Sequence, residues 1–273
     1  MVPNRPMEPP SASPVDRDDA SAPRVQSGQA IGLGGAWRAN RWAILTLLAA
    51  TLAIELGVWL LTGGFTGDPW AVVAALAAST VWIALAAPAA AAGPEDAWSA
   101  LLRGGTVIDA SGLALLVLWA LARMADGPLL PLSAVVRIYA IWLATGLAGV
   151  AAARCARTPT GRCAGAVAAA AVLMAAAATP FWTGGLLTAL DGDARAQAAA
   201  LAVNVNPICA AASSAETLQF TWQEAPRMYR ITAWGDYVPV PRAHWYAAAV
   251  IWGAVAGILA ATHLLPRPRS DPA

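Results

Sequence analysis

Glu55, Asp109 and Arg137 each lie inside a long apolar stretch of the sequence, and charge so placed is the clearest chemical signal in the chain. An ionisable group at the centre of a membrane span costs at least about 2.5 kcal/mol, so it is kept where it pairs, binds a substrate or moves a proton. Glu55 and Arg137 have opposite charges and stand about 10 Å below the same surface by helical rise. That predicts a contact between them, as a structural ion pair or as a substrate or proton site. Asp109 is expected a few residues from the inner end of its stretch, where it either reaches the interface or acts within the membrane.

Other chemistry finds little material. The two histidines, His244 and His263, have no second ligand at metal spacing, so no metal site is expected. Gly32-Leu33-Gly34-Gly35 is glycine-rich, but the chain contains no Lys at all, which excludes a Walker A phosphate loop. Ser111, Ser133, Ser213 and Ser214 lack the G-x-S-x-G context of a nucleophile elbow. Cys155, Cys163 and Cys209 read as small apolar fillers near helix ends. The expectation is a protein that is not an enzyme and needs no cofactor.

The elements that must hold the charges are six apolar stretches: residues 42–62, 70–92, about 106–122, 131–153, 164–182 and 245–265. Each, as a helix rising 1.5 Å per residue, approaches or exceeds the roughly 30 Å of a bilayer's hydrocarbon core. Composition agrees: 58% of residues are hydrophobic and only 12% charged, with a mean hydropathy of +0.56. A soluble domain is about a quarter charged. The fold class is therefore all-α, a polytopic integral membrane protein with six transmembrane helices. A net charge of +1 suggests no nucleic-acid partner; the partner is the lipid bilayer.

Arginine placement orients the chain. Arg38, Arg41, Arg103, Arg154, Arg157, Arg162, Arg267 and Arg269 fall on one side, whereas the opposite short loops, 63–69 and 123–130, carry only Arg123. The positive-inside rule then puts both termini in the cytoplasm. Residues 1–36, rich in Pro, Ser, Asp and Gly, are expected to form a disordered tail, and 268–273 a second short one. No secretory signal peptide is apparent, and the first span is expected to direct insertion. All 17 basic residues are Arg and Ala is in excess, as in a GC-rich bacterial genome, so the expected location is a bacterial inner membrane.

Within the six-helix domain, 37–267, the one sizeable extramembrane segment is the external loop 183–244. Residues 193–203 and 208–220 read as short helices separated by Asn206-Pro207. Beyond them Trp222, Arg227, Tyr229, Arg230, Trp234, Asp236 and Tyr237 interleave aromatic rings with charge. That mixture suits the headgroup zone, as an interfacial collar or a substrate gate.

Six spans with both termini inside, the basic run Ala153-Arg154-Cys155-Ala156-Arg157-Thr158 between spans four and five, and short helices with Asn206-Pro207 after span five resemble ABC-2-type transporter permeases. The resemblance is mostly architectural and covers residues 36 to 267. It implies a permease subunit without catalytic residues, acting as a homodimer or heterodimer with a separate ATP-binding subunit. In that family the loop after span two engages the ATPase. Here it runs Pro94-Glu95-Asp96-Ala97-Trp98-Ser99-Ala100-Leu101-Leu102-Arg103, which reads as a solvated connector or as a reduced coupling helix docking through Trp98, Leu101 and Leu102. The other reading of the chain is a non-transporting scaffold or assembly factor that binds a partner through its aromatic loop.

Overall fold

Runs of Ala, Leu and Val bounded by Gly, Pro and Arg leave the backbone one way to satisfy its hydrogen bonds in hydrocarbon, and the computed structural model is built of helices accordingly. It describes residues 32–64, 69–93, 96–124, 130–215 and 243–264; among these there is no strand. Among the described residues six helices are long and apolar enough to cross a membrane. They are α1 (Leu33–Thr62), α2 (Pro69–Ala92), α3 (Ala97–Met124), α4 (Leu132–Ala153), α5 (Pro159–Ala177) and α10 (Trp245–Leu264). Among the described residues between α5 and α10 stand four short helices: α6 (Thr179–Trp182), α7 (Gly184–Thr188), α8 (Gly192–Val205) and α9 (Pro207–Ser214).

Three boundaries differ from the sequence expectation for physical reasons. α1 begins at Leu33, so part of the expected tail is helical; Ala36 and Asn40 bury the face of these extra turns. α3 begins at Ala97 rather than near 106, because Ser99, Ala100 and Gly104 are buried in the bundle although the stretch looks polar. The reading of 94–103 as a solvated connector therefore fails beyond Asp96. Span five ends at Ala177, and Pro180 at the start of α6 marks the break. The expected tail up to residue 31, and Arg227, Tyr229, Arg230, Trp234, Asp236 and Tyr237 of the aromatic segment, lie outside the described residues.

Helices α2, α3 and α4 contact one another and form the centre. α1 lies against α3 and α2, α5 against α2 and α4, and α10 along α4. The core contains Leu76, Ile83, Val107, Ile108, Ile138 and Trp142, all nearly inaccessible. Small residues set the helix separations: a Cβ on Gly104 would strike Val150, and one on Gly146 would strike Ile108. Such close approach is how helices gain contact where lipid removes the hydrophobic drive between them. At the centre the Trp142 indole N–H donates to Thr80 Oγ1 at 3.0 Å, tying α4 to α2.

Candidate functional site

Glu55 sits on the α1 face that packs against α2 and α3, and is 1% exposed. Ser111 of α3 donates to its Oε1 at 2.7 Å, and Ser79 of α2 donates to its Oε2. A single carboxyl group thus ties three helices. Serine hydroxyls donate or accept, so the site holds either protonation state of the carboxyl. One turn earlier on the same face, Thr51 is fully buried and its hydroxyl has no hydrogen-bond partner among the described residues.

The expected contact between Glu55 and Arg137 is not what holds the carboxyl group. Arg137 is half-buried on α4, and α4 has no substantial contact with α1, because α2 and α3 occupy the faces between them. Matching depth along two helices does not make them neighbours.

Asp109 departs from expectation too. With α3 starting at Ala97, it stands about 18 Å along the helix, near its middle. It is exposed on the outer face of the bundle, where the Tyr139 hydroxyl of α4 donates to Oδ1 at 2.6 Å. Gly112 makes this possible: a Cβ there would occupy the place of the Tyr139 ring.

Asn206 and Pro207 form the second buried node. Pro207 opens α9, where its missing N–H costs nothing. Asn206 caps the helix, its Oδ1 accepting from the backbone N–H of Ile208 at 2.8 Å and of Cys209 at 3.0 Å. Its Nδ2 donates to the Ala177 carbonyl at 2.9 Å and to Thr179 Oγ1 at 3.0 Å. Asn206 is completely buried, and its amide serves four groups, three of them backbone. α9 is thereby seated against α4, α2 and α5. Cys209 and Ala210 join the cluster around Ile141, about 13 Å of helical rise from Leu132. Burial pushes the Cys209 thiol well up, so it is inert. From the other side the Trp252 indole of α10 donates to the Val205 carbonyl at 2.9 Å.

At the end of the bundle where α1, α3 and α5 begin and α4 stops, arginines gather. Arg103 Nε donates to Asn40 Oδ1 at 2.8 Å, and Asn40 Nδ2 donates to Ser99 Oγ at 2.6 Å. Asp96 caps α3, accepting from the Ser99 N–H at 2.7 Å. Partial burial raises the Asp96 carboxyl pKa, but the Ser99 hydrogen bonds and the charge of Arg154 outweigh it and hold the group below its ordinary value. Arg154 is itself lowered, first by burial and then by the charge of Arg162, with Asp96 opposing.

Trp98 and Leu101, expected to dock an ATPase, are exposed on the first turns of α3 and line a groove shared with α4 and α10. Leu102 is turned partly inward. The residues that sequence reasoning missed are the partners Ser79, Ser111, Tyr139, Thr179 and Asn40. Each is a common polar residue whose role comes from a neighbour on another helix, so no local pattern marks it. Among the described residues no cluster of His, Cys, Asp and Glu is suited to a metal ion. Comparisons with family models, with curated proteins and with solved structures return no match for this chain.

Proposed function

We propose that the chain is a permease-like membrane subunit of an ABC-type exporter, working as a dimer with a separate ATPase. The observation that carries this reading is the α8–Asn206–Pro207–α9 unit that follows span five, with α9 seated in the bundle by the Asn206 amide. That is where the resemblance places short helices with an Asn-Pro. The arginine-bearing end then faces the cytoplasm of a bacterial inner membrane, by the positive-inside rule. The chain contributes no ATP chemistry, since it has no Lys to reach a phosphate. The groups suited to cargo or proton coupling are Glu55 with its serines and Asp109 with Tyr139.

One observation favours the second reading, a non-transporting scaffold or assembly factor. Only residues 93–96 separate α2 from α3, so no separate coupling helix stands between them. Cysteines introduced at Trp98 and Leu102 and crosslinked in native membranes distinguish the two. The permease reading expects adducts with a P-loop ATPase, and recovery of none leaves the scaffold.

A further inference from the structure

Between the first turns of α3, the last turns of α4 and the C-terminal half of α10 runs a groove of about 750 Å³. Its walls are apolar, formed among others by Trp98, Leu101, Val150, Gly253 and Gly257, and among the described residues the charged one lining it is Arg154. This volume falls within the range of small-molecule sites, about 300–1,000 Å³.

We propose that the groove binds an anionic phospholipid of the surrounding bilayer, an acyl chain lying on the glycine face of α10 and the phosphate meeting Arg154. Three observations support that occupant. Gly253 and Gly257, one turn apart inside α10, have nothing within 4 Å of where a Cβ would be. A glycine in a helix interior is less favourable than alanine, and no atom of the described residues requires these two; what they provide is open space along the groove. Charge is the second observation. Arg154 feels the charge of Arg162 and, opposing it, that of Asp96, and a guanidinium fork suits phosphate oxygens. Third, Trp98 is half-exposed at this end, as suits an amphipathic ring at headgroup level. The inference does not depend on the transport reading.

The test uses the full chain reconstituted in vesicles that contain phosphatidylglycerol or phosphatidylcholine with identical diazirine-bearing acyl chains. After photolysis, labelled peptides are located by mass spectrometry. The expected result is labelling of α10 and α4 along the groove, about fivefold stronger from phosphatidylglycerol, the effect of one arginine beside an anionic lipid. Arg154→Gln should remove that preference while labelling persists. Gly257→Leu should reduce labelling by both lipids, and Gly257→Ala, whose Cβ meets nothing, should keep the melting temperature. Equal labelling of the unaltered chain by the two lipids overturns the proposal. So does a groove labelled by neither, whether a second copy or residues 265–273 cover it. Should Arg154→Gln fail to fold, the headgroup comparison on the unaltered chain together with Gly257→Leu still decides.

Discussion

Ser111 donates a 2.7 Å hydrogen bond to Glu55 Oε1 across the α1–α3 interface, and this contact, not an ion pair, accounts for a carboxyl group inside the bundle. A buried hydrogen bond is worth about 0.5–1.5 kcal/mol net, and about 1.5–3 kcal/mol where the acceptor is ionised. In a double-mutant cycle by thermal unfolding in detergent, Glu55→Ala and Ser111→Ala should therefore couple by about 1–2 kcal/mol. Glu55→Ala and Arg137→Ala should add, because their helices do not pack together. Strong coupling of Glu55 to Arg137 would contradict the arrangement.

Asn206→Ala removes the α9 cap and strands the Ala177 carbonyl and the Ile208 and Cys209 N–H groups. The loss should be about 2–4 kcal/mol, against about 1 kcal/mol for Thr158→Ala at the exposed cap of α5. Cys209 is a built-in reporter. Inaccessible in the native chain, it should resist maleimide until α9 is unseated, and it should react in the Asn206→Ala variant under conditions where the parent does not.

The glycines separate into two kinds. Gly112→Ala should displace the Tyr139 ring and break its hydrogen bond to Asp109, lowering the melting temperature, whereas Gly253→Ala should be neutral or stabilising because its Cβ meets nothing. Equal effects of the two substitutions would mean that Tyr139 does not lie across Gly112.

Asp96 gives a pH dependence. Its carboxyl is held below the ordinary value in the folded chain. Its contribution is thus fully present above the unfolded carboxylate pKa and is lost as pH falls through the lower folded value. Acid titration of thermal stability should show this loss, and Asp96→Asn should flatten that part of the curve. An unchanged profile would remove Asp96 from the α3 cap.

The six spans are legible in the sequence because hydropathy is summed along a helix and tolerates errors at single positions. Boundaries are less so. Trp98 to Thr106 looks polar, yet Ser99 and Gly104 are buried against other helices, and the sequence does not show which faces meet. The Asn206-Pro207 step is readable as a helix start, since capping is local. Its hold on Thr179 is not, being a contact 27 residues apart. Glu55 and Asp109 stand out by their charge, but their partners are serines and a tyrosine that could serve anywhere. Equal depth suggested Arg137 for Glu55. Lateral order in the bundle, which no periodicity encodes, decides otherwise.

A permease-like subunit driven by a separate ATPase should keep that ATPase through affinity purification of the full chain from its native membrane in mild detergent. The co-purifying chains are then identified and ATP hydrolysis is measured. The expected result is a complex with a P-loop ATP-binding chain that hydrolyses ATP, while the chain alone hydrolyses none. Repeated recovery of the chain with no ATP-binding partner, or only with proteins unrelated to nucleotide hydrolysis, would contradict it.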